Sequence, residues 1–353
     1  MKRKTVTVEV NTKGRYDTTL SMTLMSIVNQ SMLPDEIILV DDNHPSERID
    51  LRESDIYAKI LRLFDLKGIK WRVIFGDGVG IASNHQKVLD LVETDYVWRI
   101  DDDEYAEYDV LEKIYNTVIK GYGAVGCKIH IPYHILEYKE SDYYNKVDVN
   151  SNYDVTTAIE WTTFTKDVDA EHLFSSFIYD VEKARDSGGY VTDLTVVGHK
   201  EETLFTYRMY KHEYKLRVIS NAKIWHFHTS GGVRTYDSEK LFTICDDIAF
   251  NYFKLWNDIS LKNKQVVILD GGIGDNYGFK MILKDLLKKK NVILFTHYPD
   301  VFTNIKSKKF EVYDMDIAKG VGFNFSKYNI YRYMQEEKWK GNVVDAYKKM
   351  YNV

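Results

Sequence analysis

One stretch of the sequence decides how the rest is interpreted: Tyr96-Val97-Trp98-Arg99-Ile100-Asp101-Asp102-Asp103. Its first residues form a largely apolar run that predicts a buried strand, and three adjacent carboxylates follow where that strand ends. Neighbouring carboxylates repel one another, so a fold that clusters them usually brings in positive charge. Mg²⁺ and Mn²⁺ take oxygen ligands of this kind. A solvated acidic turn is the alternative, and the triplet alone does not separate the two.

The residues before this stretch alternate between strand-like and helix-like segments. Such alternation predicts βαβ units and a parallel sheet, in which ligands bind beyond the carboxyl ends of the strands. Asp41 and Asp42 follow one predicted strand and Asp101–Asp103 follow another, so both acidic groups are expected at the ligand-binding edge. Strands are predicted over residues 6–10, 36–40, 71–75 and 96–100, and helices over residues 18–29, 56–64 and 84–91.

The later part of the chain is less regular and then starts afresh. A mixed or antiparallel extension is expected over residues 129–165, and the boundary between two regions near residues 258–264. This organisation predicts a main domain over residues 1–240, a helical linker over 241–263 and a small Rossmann-like α/β accessory domain over 264–353. The predicted elements are a strand or helix over 173–183, a helix over 202–210, a strand pair over 215–227, a helix over 241–255, strands over 265–269 and 292–295, and a helix over 277–289.

Composition describes an ordinary soluble enzyme. The chain has 353 residues with 44% hydrophobic and 29% charged content, enough for two domains. Its two cysteines, Cys127 and Cys245, argue against a disulfide scaffold and fit a reducing cytoplasm. No stretch approaches the roughly 18 apolar residues of a membrane helix. We therefore expect a cytoplasmic protein without a membrane span, whose oligomeric state stays open.

Charge is unevenly divided along the chain. Residues 264–353 hold 16 Lys and Arg against 10 Asp and Glu, a net charge of +6, whereas the preceding residues carry a net charge of −11. A basic C-terminal region beside an acidic one would favour an anionic acceptor or partner. A solvated basic face with no partner is the simpler interpretation.

Several separated motifs, in their order and spacing, resemble the family-2 glycosyltransferases over about residues 4–235. The resemblance implies a GT-A nucleotide-diphospho-sugar transferase fold, with a mixed, mostly parallel sheet and flanking helices. The motifs that carry it are Asp41-Asp42-Asn43, Gly80-Ile81-Ala82-Ser83-Asn84, the acidic triplet as the D-x-D motif, Gly188-Gly189-Tyr190, Gly198-His199-Lys200-Glu201-Glu202-Thr203 and Trp225-His226.

The resemblance implies a set of residues that bind the nucleotide-sugar. Asp41 and Asp42 would accept hydrogen bonds from the base and ribose, and an Asx turn or a helix cap is the alternative. After the first strand only part of the family's motif is present, and the aromatic residue that stacks on uracil is missing, which leaves the base open. The implied donor-binding residues are Thr12, Arg15, Asp41, Asp42, Asn84, Asp101 and Arg234, the last in a Gly-containing loop over 229–238 that is expected to close on the diphosphate.

The resemblance also implies a Mn²⁺ or Mg²⁺ ion held by Asp101, Asp103 and His226. The cation would offset the charge that develops on the departing nucleoside diphosphate. A histidine beside aromatic residues is often only a packed core residue. His228 lies on the same strand face and competes with His226 for the role.

The same resemblance implies that Glu202 or Glu201 is the catalytic base. An inverting transfer requires one carboxylate to take the proton of the acceptor hydroxyl. The family places an acidic residue here with an arginine six residues later, a spacing that Glu202 and Arg208 keep. Acidic residues at a helix start also complement the helix dipole without any catalytic role.

A second resemblance concerns the C-terminal region. The strand, the turn Gly271-Gly272-Ile273-Gly274-Asp275 and the helix after it resemble the start of an ADP-heptose-type (GT-B) glycosyltransferase domain. The remaining residues are too few for a complete enzyme of that type. An accessory or acceptor-binding domain is therefore expected.

The resemblance to family-2 glycosyltransferases thus implies an inverting, metal-dependent hexosyl- or pentosyltransferase that uses a nucleotide-diphosphate sugar, expected to be a UDP-sugar. A glycan or lipid-linked saccharide is the commonest acceptor for the family. One alternative is a phage-type enzyme that glycosylates hydroxymethylated DNA bases. Another is a nucleotide-binding scaffold that has lost catalysis, against which Asp101, Asp103 and Glu202 argue.

Overall fold

The structure is a computed structural model that describes residues 3–132, 146–156, 166–232 and 238–353. The chain divides into two compact units. The first comprises Met1–Arg185, Gly189–Tyr210 and Tyr214–Lys254, and the second comprises Asp186–Gly188, Lys211–Glu213 and Leu255–Val353. None of the described helices is long and apolar enough to cross a membrane.

The first unit is built on a mixed sheet with helices on both faces. Its strand order is β3-β2-β1-β4-β10-β6-β11-β5, and β9 pairs with β11. Its strands are β1 (Val6–Thr12), β2 (Glu36–Asp41), β3 (Lys70–Phe75), β4 (Tyr96–Asp101), β5 (Glu104–Ala106), β6 (Ala124–His130), β9 (Val168–Ala170), β10 (Phe177–Asp180) and β11 (Leu216–His226), and β7 (Lys146–Asp148) pairs with β8 (Asp154–Thr156) separately. Its helices are α1 (Leu20–Val28), α2 (Asp55–Leu66), α3 (Ile81–Leu91), α4 (Val110–Val118), α5 (Val181–Asp186), α6 (Glu201–Lys211) and α7 (Ser238–Asp258), the last of which continues into the second unit.

The register of the parallel strands brings their carboxyl ends to one edge. In β1, Asn11 pairs with Asp101 of β4, and Thr12 pairs with Asp41 of β2. Every residue of β1 is buried, because hydrophobic clusters cover both faces of the sheet. The predicted α/β class with a mixed, mostly parallel sheet is confirmed.

Two predictions about local structure were wrong. The strand pair expected over residues 215–227 is one strand, β11, with a register shift between Val218 and Lys223. The polar residues at this irregularity have the composition of a turn, which is why two strands were predicted. In the structure, Ser220 donates its backbone N–H to Asp167 Oδ1 at 3.0 Å. The segment over 173–183 is neither strand nor helix throughout, because β10 is followed directly by α5.

The second unit has a three-stranded parallel sheet in the order β12-β13-β14. Phe279 and Leu294 are fully buried in its core. Its likeness to an ADP-heptose-type domain stays a prediction. The strands are β12 (Lys264–Leu269), β13 (Asn291–Thr296) and β14 (Phe310–Asp314), and the helices are α8 (Ile273–Lys289), α9 (Met315–Val321), α10 (Ile330–Glu336) and α11 (Val343–Tyr351), with short 3₁₀ turns at Pro299–Phe302 and Phe325–Lys327.

Candidate active site

A cavity of about 300 Å³ lies at the carboxyl edge of the first unit's sheet. The strand ends described above supply much of its wall. The predicted site residues that line it are Thr12, Arg15, Asp42, Asn84, Asp101, Asp103, Glu201, Glu202 and His226. The cavity therefore gathers residues that are far apart in the sequence.

Arg15 compensates the charge of the acidic triplet. Its Nη1 atom lies 2.5 Å from Asp102 Oδ1, and its Nη2 atom lies 2.9 Å from Asp103 Oδ2. The Nη2 group also donates to the backbone carbonyl of Thr229 at 3.1 Å. One arginine after β1 thus joins the loop after β4 to the loop after β11.

Asp101 is held in place by neighbouring groups that the sequence analysis did not identify. Its backbone N–H donates to Glu104 Oε2 at 3.0 Å, and its Oδ1 atom lies 3.4 Å from Arg99 Nη2. The Ser175 hydroxyl oxygen lies 3.3 Å from Asp101 Oδ2 and also forms a hydrogen bond with Glu104 Oε1. Glu104 itself is fully buried.

His226 reaches the acidic cluster because β11 pairs with β5. His226 lies opposite Glu104 in this antiparallel pair. Its Nε2 atom lies 3.2 Å from Asp103 Oδ1, and its Nδ1 atom lies 3.9 Å from Glu104 Oε1. His228 hydrogen-bonds to Nδ1 of His226 at 3.2 Å. Asp101, Glu104 and His226 each bring a ligand atom within 4.8 Å of the other two, an arrangement that fits a metal ion.

The pKa values of this cluster reflect an excess of buried carboxylates over nearby positive groups. Burial and the charge of Asp101 raise the pKa of Glu104 to about 8, and burial together with the charge of Asp103 raises the pKa of Asp102 to about 6 despite Arg15. Burial lowers the pKa of His226, but the hydrogen bond to Asp103 and the charge of Glu104 outweigh it and raise the pKa to about 9. Carboxylate oxygens that are buried together in this way are ligands that a hard divalent cation accepts.

The other end of the cavity surrounds Asp42. Its Oδ2 atom lies 3.7 Å from Lys13 Nζ, and its Oδ1 atom accepts the backbone N–H of Gly78 at 3.3 Å. A Cβ at Gly76 would lie 2.1 Å from Asp42 Oδ1 and 2.8 Å from Asn84 Oδ1, so only glycine fits this close approach. The stretch Gly76–Gly80 is thus the connection between β3 and α3.

Asp41, in contrast, does not line the cavity. Its Oδ2 atom accepts the hydroxyl of Tyr16 at 2.5 Å, and its Oδ1 atom accepts the backbone and side-chain N–H groups of Asn43 at 3.0 and 2.8 Å. These bonds hold the end of β2 in place, so Asp41 supports the wall that presents Asp42.

The two candidate bases at the start of α6 differ in their surroundings. Glu201 Oε1 lies 2.7 Å from Nη2 of the buried Arg99. Burial favours the neutral acid, but the Arg99 guanidinium overcomes this and lowers the pKa of Glu201. Burial and the charge of Glu201 raise the pKa of Glu202 well above its usual value. Glu201 is therefore an ion-pair partner, and Glu202 is the carboxyl group that resists ionisation.

The sequence analysis named two further residues, Arg208 and Arg234. Arg208 is buried in α6 and donates to the backbone carbonyl of Gly189 at 3.2 Å. Its guanidinium lies 5.9 Å from the ring of Tyr252. Arg234 lies outside the described residues.

Sequence reasoning missed Arg99, Glu104, Lys13 and Ser175. Arg99 could have been identified from the sequence, because an arginine inside an apolar strand is buried by folding and then requires carboxylate partners. Glu104 directly continues the acidic triplet. No sequence pattern identified Ser175. The position of its side chain depends on the folded turn before β10, where its φ is 56°.

Comparison with known proteins agrees with the fold described above. Residues 10–165 match the sequence model of Glycosyl transferase family 2. No curated protein sequence matches the chain. The structure is similar to the crystal structure of GalNAc-T7 with UDP, GalNAc and Mn²⁺, with a TM-score of 0.53 and 13% sequence identity over 72% of this chain and 51% of that chain. This chain thus spans about half the length of the GalNAc-T7 chain. At this identity the likeness shows the fold, which is the GT-A fold.

Proposed function

We propose that the protein moves a sugar from a nucleotide-diphosphate donor to an acceptor hydroxyl, with inversion at the anomeric carbon, because residues 10–165 match the sequence model of Glycosyl transferase family 2. We take the donor to be a UDP-sugar, since UDP and GalNAc accompany Mn²⁺ in the crystal structure of GalNAc-T7. The observation that carries the proposal is that one cavity holds both the acidic triplet and Glu201-Glu202.

The donor would bind from Asp42 towards the acidic triplet. Asp42, with Lys13 beside it, offers an acceptor and a cation for the base and ribose. Thr12 and Asn84 line the same part of the cavity and add polar groups. Arg15 is placed beside the carboxylates, where it can meet an oxygen of the diphosphate.

The metal site would consist of Asp101, Asp103 and His226, with Glu104 as a further ligand. The residues fit a divalent cation, since several carboxylates are buried together and hold two of their pKa values far above the usual range. When bound, such an ion neutralises charge that develops on the leaving diphosphate. Arg15 supplies positive charge to the same carboxylates from the protein itself.

Glu202 would take the proton from the acceptor hydroxyl. A base works best when its pKa lies near the working pH, and burial beside Glu201 moves the pKa of Glu202 in that direction. Glu201 stays ionised through Arg99 and keeps the start of α6 against β4. Phe174 and Phe242 line the cavity and would pack against the apolar face of a saccharide acceptor.

A donor screen tests the proposal. Thermal unfolding would be followed with UDP-, GDP-, CDP- and dTDP-sugars, each with and without Mn²⁺. We expect one nucleotide to raise the unfolding temperature, and to do so only with the metal, because a ligand that binds the folded state alone stabilises it. Release of nucleoside diphosphate should follow the same preference. No stabilisation by any donor would contradict the proposal, and stabilisation without turnover would favour the inactive scaffold.

A further inference from the structure

The second unit gathers three lysine-rich segments at one edge of its sheet. Lys264 of β12 is opposite Asn291 of β13, and Val292 of β13 is opposite Phe310 of β14. Because all three strands run in the same direction, the segments that precede them meet at the amino edge. These segments, residues 262–264, 288–291 and 306–309, contain eight lysines and no acidic residue.

Carboxylates neutralise few of these charges. Lys264 pairs with Glu311 at 2.6 Å, and Lys288 pairs with the exposed Asp285 at 2.6 Å. The other six lysines have no carboxylate partner within the described part of the chain. Of these, the members without any hydrogen-bond partner among the described residues are Lys262, Lys306 and Lys308.

The opposite edge of the same sheet is acidic. Asp270 directly follows β12, Asp314 ends β14, and Asp300 and Asp316 lie just beyond the ends of β13 and β14. Ligands of open α/β sheets usually bind at this carboxyl edge. Here that edge would repel a phosphate, so an anionic partner of the second unit is directed to the amino edge.

The amino edge has a cleft of about 370 Å³ whose lining is chemically simple. Its wall offers ammonium and amide groups and no aromatic ring. Such a surface can neutralise phosphates and donate hydrogen bonds to them, but it provides no ring on which a nucleobase could stack. The lining residues are Asn263, Lys264, Gln265, Lys289, Lys290, Asn291 and Lys309.

We propose that this edge, which we call the lysine edge, docks duplex nucleic acid through its phosphate backbone. The lysines extend across three adjacent strands, a width of roughly 10 Å before the side chains are counted, which exceeds a single phosphate group. A duplex presents phosphates outward in rows and keeps its bases stacked inside. Affinity without base contacts is independent of sequence and depends steeply on salt. The inference does not rest on the proposed glycosyl transfer, because binding is measured without donor.

The test uses fluorescence anisotropy of a short labelled DNA duplex with the full chain, titrated between about 50 and 200 mM salt. The variant Lys262→Gln/Lys306→Gln/Lys308→Gln removes three charges that form no hydrogen bond or ion pair with the described residues. We expect the slope of log K against log salt to fall by about three and the affinity at low salt to fall at least about tenfold.

The matched control removes the same charge elsewhere in the second unit. It is Lys319→Gln/Arg332→Gln/Lys340→Gln. Lys319 pairs with Asp316 beyond β14, and Arg332 lies in α10, whose N-cap Asn329 hydrogen-bonds to Asp270 at the acidic edge. We expect the control to bind duplex DNA like the wild type. Equal unfolding temperatures of the two variants would show that folding is not the cause of any difference.

Several results would overturn the proposal. One is the absence of duplex binding by the wild type at about 50 mM salt. A second is an equal loss in the control, which would reduce the effect to net charge. Tighter binding of single-stranded DNA than of the duplex would indicate base stacking elsewhere. Binding of anionic lipid vesicles through the same lysines, without duplex binding, would assign the lysine edge to a membrane surface.

Discussion

The Nη2 atom of Arg15 lies 2.9 Å from Oδ2 of Asp103, and this contact places an internal cation against the predicted metal ligand. The guanidinium shares the carboxylate with His226, whose Nε2 atom is 3.2 Å from Oδ1. Each of the two carboxylate oxygens of Asp103 thus contacts a different positive group. A divalent ion bound there would have to share or replace one of these contacts, so metal binding and the position of Arg15 are expected to depend on each other.

The first prediction is that Asp103→Asn removes metal-dependent activity. The amide keeps the shape of the side chain but loses the negative charge that a cation requires. We expect turnover to fall by at least about 10²-fold, the upper end of what disturbing the support of a metal ligand costs. Calorimetric titration with Mn²⁺ should show weaker binding, and chelator should inactivate the wild type. The exposed Asp17 offers a control as Asp17→Asn. Full activity in chelator would refute the metal site.

The second prediction separates the two glutamates of α6. Glu202→Gln removes the proposed base, so transfer should fall by about 10²–10⁴-fold while donor binding and the unfolding temperature are kept. Glu201→Gln instead removes the closest carboxylate of the buried Arg99 and leaves Asp101, at 3.4 Å, as its ion-pair partner among the described residues, so the free energy of unfolding should fall by up to about 3 kcal/mol. Kinetics and thermal unfolding of both variants check this. The reverse pattern would move the catalytic role to Glu201.

The third prediction concerns the pH dependence of kcat/KM. A general base works only when ionised, so the rate should rise as pH rises through the pKa of Glu202. Burial and the charge of Glu201 raise this pKa, so the acid limb should lie above the ordinary glutamate value of about 4.3. In Glu201→Gln that charge is gone, and the limb should move to lower pH. An acid limb at the same pH in both enzymes would show that another group controls it.

The strands β1 to β4 could be predicted because each is a short, largely apolar run that ends at polar residues. The edge at which Asp42, Asp101 and Asp103 meet followed from the parallel arrangement alone. Residues whose role depends on the folded chain could not be predicted in this way. Arg99 and Glu201 are 102 positions apart, and no local pattern pairs them.

The same limit explains the remaining differences. Asp41 and Asp42 are equivalent in sequence, but alternate residues of an extended segment face opposite sides, so only Asp42 faces the cavity. The irregularity in β11 depends on Asp167, which binds the backbone of Ser220 from a distant segment. Polar residues that a tertiary contact satisfies cannot be distinguished from a turn by composition.

The last prediction concerns Gly198, which sets the entry into α6. Its φ is 59°, and a Cβ would lie 2.1 Å from Cγ2 of Ile81, a β-branched side chain that has little freedom to turn away. Gly198→Ala should therefore displace the turn that presents Glu201 and Glu202. We expect a loss of about 1–3 kcal/mol in the free energy of unfolding together with a loss of transfer activity.

The control is Gly68→Ala, since Gly68 has a similar φ of 73° but nothing within 4 Å of its added Cβ. It should lose about 1 kcal/mol from the left-handed backbone alone and keep full activity. Adding Ile81→Ala to Gly198→Ala should recover part of the activity, because it removes the methyl group that the new Cβ meets. If the double variant is no more active than Gly198→Ala, the collision with Ile81 is not what displaces the base, and backbone strain at residue 198 would be the cause.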